Sequence, residues 1–415
     1  VKSLRWLAAL PLLVIFGTFA FIDLELKVGL FGWEANAPAA DVATLLLLPL
    51  ALLGLWVRPA SGAPRWPDLP GWPGQLLFLV ACALSLSAAA YPDEALHHLI
   101  RKPLFVYVAY GFGLGWALQR AASPAFARRA LQIGLALTAL VSVGSSLGRI
   151  AAGDTLWFQA LSGITPNHKT LAVALAGAAP LLFGAALRPV GARRPGGEGA
   201  PDLLARGLSG LLVLAVLLSA SKTAWITLAL GLAWFFPGHR PIATRWRALL
   251  PGAALALALA YYAPVILGSR TMLDAARSRH SLNERAQHMW EAHPLIGSGT
   301  GMNVRWEEST FPHYRVNGVD AHGVFAKVAS ETGLLGLVGY GLFVGGAGLA
   351  MRRRWRTGAA TTGQHPYRSE AWAALGAFGA LHTNLLFSTE LFSPTHWVPL
   401  MAAWAAAHRE EEGQR

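Results

Sequence analysis

The chain has 415 residues, of which 54% are hydrophobic and 13% charged, with a formal net charge of +12 and a mean hydropathy of +0.42. An average soluble protein carries about 25% charged residues, so this composition excludes an ordinary water-soluble enzyme. The single cysteine, Cys82, excludes an internal disulfide framework and a cysteine-rich metal site.

Apolar runs close to the roughly 20 residues that cross a bilayer recur along the whole sequence. The first follows Lys2 and Arg5 and runs from Trp6 to Ile22. It is longer than a signal-peptide core and lacks a convincing small-residue cleavage site, so it is expected to be a retained span. Further spans are expected at about 39–57, 73–90, 99–118, 130–150, 168–187, 205–219, 223–236, 248–267, 322–350, 371–388 and 395–408. The expected fold class is all-α: residues 1–415 form a single integral membrane domain of about twelve transmembrane helices. One long outer loop containing short helices completes it.

An even number of spans puts both termini on one side, and the positive-inside rule assigns that side to the cytoplasm. With the termini and the loops at 58–72, 119–129, 188–206, 237–247 and 351–370 cytoplasmic, that side holds 21 Lys and Arg against 7 Asp and Glu. The remainder holds 13 against 15, so the two partial charges, +14 and −2, account for the net +12. Topology therefore explains the basic balance, and no nucleic-acid partner is implied. Arg352, Arg353, Arg354 and Arg356 read as a stop-transfer cluster.

Two outer connections stand apart. The tight turn Ser219-Ala220-Ser221-Lys222-Thr223 sets a lysine between two apolar spans. The stretch 268–321 is the only long hydrophilic loop, and long ordered loops usually carry function. Within it, Ser281-x-x-Glu284 predicts a capping box that opens a helix ending before Pro294, with Arg285 in its first turn. Gly297, Gly299 and Gly301 follow; they suit either an anion-binding nest or a plain turn, and the turn is favoured because no Rossmann-like helix follows.

Five of the six lysines lie at the outer side or at membrane depth, where the charge rule does not require them. Charge at a membrane edge is costly and points to function. Lys222 and Arg285, with Arg101, Lys102, Lys169 and His168 beside them, suit a diphosphate, since guanidinium grips phosphate oxygens bidentately and lysine supplies a compact charge. For any one of them the structural alternative is snorkelling to lipid headgroups or pairing with the loop's own acids. Asn167-His168-Lys169 marks the outer entrance of the sixth span, where it either lines a polar cavity or caps the helix.

His322 stands where the loop ends and an apolar helix begins. The positive end of the helix dipole disfavours imidazolium and leaves a neutral ring able to accept a proton, which suits a general base, although a lone histidine is more often a structural hydrogen-bonding group. His280, His288, His293 and His313 show no metal-ligand spacing, and the outer side lacks the adjacent acidic pair that would hold a divalent cation against a pyrophosphate. No metal and no cofactor are expected. Glu331, nine residues beyond His322, reads as a buried polar contact between spans.

The order of spans, Ser219-x-Ser-Lys222-Thr-Ala-Trp, the loop motif Arg285-x4-Trp290-x3-Pro294-Leu-Ile-Gly297-x-Gly299-x-Gly301, and His322-x10-Gly333-x-x-Gly336 together resemble the O-antigen ligase family, within the group that includes O-antigen polymerases and protein O-oligosaccharyltransferases. Two positions depart from the family pattern: Gly323 stands where Asn, Ser or Gln usually follows the histidine, and Lys222 replaces the usual arginine. The resemblance implies an enzyme of the bacterial inner membrane with its site at the periplasmic face, beneath the 268–321 loop. The implied donor is an undecaprenyl-diphosphate-linked O-polysaccharide, and the implied acceptor is a sugar hydroxyl of lipid A-core oligosaccharide. His322 would act as general base, with Lys222 and Arg285 neutralising the leaving diphosphate and Arg101, Lys102, His168 and Lys169 assisting. A polymerase or a protein O-oligosaccharyltransferase would use the same donor with another acceptor. A lipid-diphosphate transporter or flippase would bind the same group without needing a base.

Overall fold

The computed structural model describes residues 2–17, 25–30, 33–56, 66–152, 168–186, 203–218, 221–233, 270–304, 321, 323–362, 370–386 and 390–412. Helices dominate them. In chain order these are α1 (Lys2–Gly17), α2 (Ala39–Trp56), α3 (Trp72–Ser85), α4 (Pro92–Leu99), α5 (Pro124–Ala151), α6 (His168–Ala186), α7 (Leu203–Leu218) and α8 (Lys222–Ala233). The long outer segment and the C-terminal part add α9 (Arg270–Ala292), α10 (Val324–Thr362), α11 (Glu370–Leu385) and α12 (Pro394–Glu412). From α4 the chain continues to Ala121 through wider, π-type turns. The expected span at 248–267 lies outside the described residues.

The sequence reading did not include β1 (Glu25–Leu30) and β2 (Trp33–Pro38), an antiparallel hairpin with Glu25 opposite Pro38 and Leu30 opposite Trp33. It sits between the first two helices, in a stretch with no helical periodicity.

The helices expose large apolar side chains on their outer faces. Along α2, Leu45, Leu46, Leu52 and Leu53 face outward while Ala39, Ala40, Ala43 and Ala51 are buried. Exposed leucines over an alanine-rich inner face, with Leu47 the one large side chain buried there, suit a lipid surround, where close packing rather than the hydrophobic effect holds helices together. Helices Ala39–Trp56 and Val324–Thr357 are long and apolar enough to cross a membrane, and shorter apolar helices occur at Trp6–Gly17, Trp72–Ala88, Ala172–Gly184 and Gly207–Leu217. The chain reads as a helical membrane protein.

The tightest packing is between α3 and α10. A Cβ on Gly74 would lie 2.0 Å from the Phe343 amide nitrogen, and one on Gly339 would lie 2.6 Å from the Phe78 nitrogen, so only hydrogen fits at either position. Beneath this crossing, Phe343 stacks on Trp397 with ring centroids 5.9 Å apart, and Tyr107 meets the Trp397 ring edge-on at 5.3 Å.

The two ends of the bundle are assembled from loops that the charge rule assigns to opposite sides. At one end Asp68 binds Arg354, and its backbone exchanges hydrogen bonds with the Gln119 amide. The Trp404 indole donates to the Asp68 carbonyl at 2.8 Å, and the Arg354 guanidinium lies 4.2 Å over the Trp404 ring. Arg128 bonds Glu370 at the same end, at 3.1 Å. Apart from Trp404, which lies in the last expected span, these residues belong to segments expected on the cytoplasmic side. At the other end the 294–301 turn meets Ser85, Ala89 and His98, all near outer connections.

Two expectations are corrected here. Ser281 does not open a helix: α9 already runs from Arg270, through a Pro- and Gly-free stretch of good helix formers, so Ser281 and Arg285 are interior positions. The Glu284 carboxylate lies 3.1 Å from His280 Nε2, one turn away. The helix does end before Pro294, as expected. Nor is 322–350 one straight span. Gly333 has φ 64° and ψ −161° and breaks α10, folding its first part back so that the Phe325 and Tyr340 rings meet at 5.9 Å. Fifteen positions of unbroken helix would hold them roughly 22 Å apart.

Candidate functional site

The break in α10 exposes backbone groups that must find partners. The turn after α9 supplies them. Ser298 and Gly299 donate to the Ser330 and Glu331 carbonyls at 2.8 and 3.1 Å, while Leu334 and Leu335 donate to the Pro294 and Leu295 carbonyls at 2.9 and 3.1 Å. The fit needs two glycines: a Cβ on Gly297 would lie 2.3 Å from the Glu331 carbonyl carbon, and one on Gly333 would lie 2.4 Å from that of Leu295. Thr300 pins the same turn to the end of α3 through Ser85, whose hydroxyl accepts from the Thr300 amide at 3.1 Å.

These bonds decide between the two readings of the glycine run. The amides of Gly297, Ser298, Gly299, Thr300 and Met302 all donate within the protein, to His293, Ser330, Glu331, Ser85 and Gly299. Amides so committed do not form an anion nest, and the run is a packing turn.

Immediately after the turn lies a buried polar knot centred on Asn303, which is fully inaccessible. Its Oδ1 accepts from Arg285 NH2 at 3.0 Å and from the Ala321 amide at 3.0 Å, and its Nδ2 donates to Ser330 Oγ at 2.7 Å. Ser330 Oγ in turn donates to the Lys327 carbonyl at 3.0 Å. One side chain thus ties α9, the chain entering α10, and α10 itself. Arg285 is 3% exposed, carried on the inner face of α9 together with buried Leu282, Ala286 and Met289. Lys327 and Glu331 are also buried and lie one turn apart on the same face of α10.

The structure therefore brings Arg285 to the segment that leads into His322. His322 itself lies outside the described residues; its neighbours Ala321 and Gly323 are both buried, and Gly323, at φ 108°, abuts the Leu386 carbonyl at the end of α11. Lys222 begins α8, whose first turn is fixed by Ser221 Oγ accepting from the Ala224 amide at 3.4 Å and by the buried Trp225 indole donating to Val216 at 2.9 Å. His168 and Lys169 begin α6, which packs against α8. The side chains of Lys222, His168 and Lys169 lie outside the described residues. Arg101 and Lys102 are exposed one turn beyond His98, whose ring packs at Gly301. Asp41, in the first turn of α2, accepts a 2.5 Å hydrogen bond from Tyr110.

Glu331 is buried at the break, where its backbone carbonyl accepts from the Gly299 amide. Asn303 escaped the sequence reading: in a polar loop an asparagine carries no signal of burial. Ser330 offered a faint one, as a hydroxyl within an apolar helix. Among the described residues no three His, Cys, Asp or Glu side chains converge as a metal site requires.

Residues 207–341 match the family model described as O-antigen ligase. The matched stretch runs from α7 into the second part of α10 and takes in Lys222, Arg285, Asn303, His322 and Gly333. No curated protein matches the chain at a significant level.

Proposed function

We propose, from the match of residues 207–341 to the O-antigen ligase family model, that the protein transfers O-polysaccharide from undecaprenyl diphosphate to a sugar hydroxyl of lipid A-core oligosaccharide. The single observation that carries the reading is the convergence, through Asn303, of Arg285 with the segment entering His322. The chain sits in the bacterial inner membrane with about twelve spans and both termini cytoplasmic. The 268–321 segment roofs a periplasmic site. The sorting of the described loops to two ends of the bundle supports this orientation, since Asp68, Gln119, Arg354 and Trp404 gather away from the 294–301 turn.

The reaction is a single in-line displacement. The acceptor hydroxyl oxygen attacks the anomeric carbon as its proton passes to the His322 imidazole, and the bond from that carbon to the diphosphate oxygen breaks with inversion. The departing diphosphate is already a weak base, so it needs charge neutralisation rather than protonation. Arg285 and Lys222 supply that charge, with Arg101, Lys102, His168 and Lys169 assisting substrate binding. Arginine and lysine take the place a divalent cation would otherwise fill. Polymerase and protein-transferase chemistry would share this donor half and differ only in acceptor.

The test is His322→Ala, in protein shown to be folded and to bind the lipid-linked donor. A severe loss of glycan transfer with donor binding retained is expected. Full transfer by that variant would remove the base assignment, and undiminished donor translocation without any transfer would favour a flippase.

A further inference from the structure

We propose that Asn303 is a positioning residue that sets the distance between the Arg285 guanidinium and the Ala321 backbone amide, one residue before His322 in the sequence. The inference deepens the transferase reading and rests on it.

A fully buried side-chain amide offers one carbonyl oxygen and one NH2 group, and the protein uses both. The oxygen is shared between two donors that belong to different elements: Arg285 on α9, at 3.0 Å, and the Ala321 amide, at 3.0 Å, in the chain entering α10. Two donors on one acceptor atom hold each other at a fixed separation. The nitrogen, bound to Ser330 Oγ at 2.7 Å, fixes which way round the amide points and anchors it to α10 just before its break. Arg285 is an interior residue of α9, whose C-terminal end leads through the packing turn into Asn303. Ala321 immediately precedes His322. Asn303 is thus a junction between the residue assigned to the leaving diphosphate and the backbone that precedes, in sequence, the residue assigned to the attacking hydroxyl. Displacement of such groups by about 1 Å costs on the order of 100-fold in rate.

The donor and acceptor demands at this position separate the possible substitutions. Asn303→Asp keeps an oxygen for both Arg285 and Ala321, and Ser330 can turn its hydroxyl to donate to the second carboxylate oxygen. Asn303→Leu keeps the branched shape with bulkier ends and removes every polar contact. Ser330→Ala removes the anchor of the NH2 group, together with the hydroxyl's own bond to the Lys327 carbonyl, and leaves both bonds to Oδ1 in place.

The experiment measures transfer of lipid-linked O-polysaccharide to lipid A-core by purified, reconstituted protein, with kcat and the donor KM determined for each variant. Asn303→Leu is expected to lower kcat by roughly 10- to 100-fold with donor KM altered less than about 3-fold. Asn303→Asp should recover to within about 5-fold of wild type, and Ser330→Ala to within about 3-fold. On an Arg285→Ala background Asn303→Leu should add less than about 3-fold, because the pair acts as a unit. Where Asn303→Leu fails to fold, Asn303→Asp and Ser330→Ala decide. An Asp variant as inactive as a denatured control, or a full additive loss on the Arg285→Ala background, would overturn the positioning role. Wild-type turnover in Asn303→Leu would overturn it while leaving the transferase reading intact. Wild-type turnover in Arg285→Ala and His322→Ala would instead remove the transferase site itself.

Discussion

Replacing Gly333 with alanine should unfold the break in α10, and its cost can be worked from the backbone. The φ 64°, ψ −161° conformation is open essentially only to glycine, and imposing a side chain there costs on the order of 1–3 kcal/mol. The new Cβ would stand 2.4 Å from the Leu295 carbonyl carbon, so the turn must retreat. That retreat withdraws the Pro294 and Leu295 carbonyls from the Leu334 and Leu335 amides, bonds worth about 0.5–1.5 kcal/mol apiece. The total is about 2–6 kcal/mol. Gly341, farther along the same helix, has nothing within 4 Å of its would-be Cβ, and Gly341→Ala should be neutral or stabilising by about 0.5–1 kcal/mol. Equilibrium unfolding in mixed micelles, followed by tryptophan fluorescence, measures both variants. Glycan transfer should fall with Gly333→Ala and persist with Gly341→Ala, since only the former shifts the Asn303 junction. Equal stability in the two variants would refute the claim that the 294–301 turn is wedged into a glycine-dependent break.

Other outcomes follow from the same contacts. Lys222→Ala and Arg285→Ala should each weaken donor use strongly in a transfer assay, whereas Lys222→Arg should retain it; equal activity in all three would take these residues out of the diphosphate site. Asp68→Ala removes the carboxylate that faces Arg354 and should cost about 1–2 kcal/mol in unfolding free energy, with transfer by the folded protein unchanged because the contact lies at the opposite end of the bundle. A loss of transfer larger than the loss of folded protein would contradict that separation of the two ends.

Much of the scaffold was legible in the sequence because apolar run length and Arg placement are strong, local signals. The runs at 39–57, 73–90 and 371–388 reappear as helices near those bounds, and the loops carrying Asp68 and Arg354 meet at one end. Glycine punctuation was legible too, in that Gly297, Gly299 and Gly301 marked a turn. What the turn is for was hidden, because Gly297 and Gly333 meet only in three dimensions. The same holds for the break in α10: a glycine in an apolar run reads as an uninterrupted span until its backbone angles are known. The capping-box reading of Ser281 failed because a local start signal cannot outweigh a continuous run of helix formers upstream of it. Arg285 was found from its charge, whereas its partner Asn303, neutral and inside a polar loop, had no such marker.

The central claim is glycosyl transfer from a lipid diphosphate, and the most direct measurement is reconstitution. Purified protein in nanodiscs is incubated with lipid-linked O-polysaccharide and lipid A-core acceptor in the presence of chelator, and products are resolved on a gel. A ladder of conjugates on lipid A-core from the wild-type protein, absent with His322→Ala, is the predicted result. No conjugates from wild-type protein shown to bind the donor would contradict it.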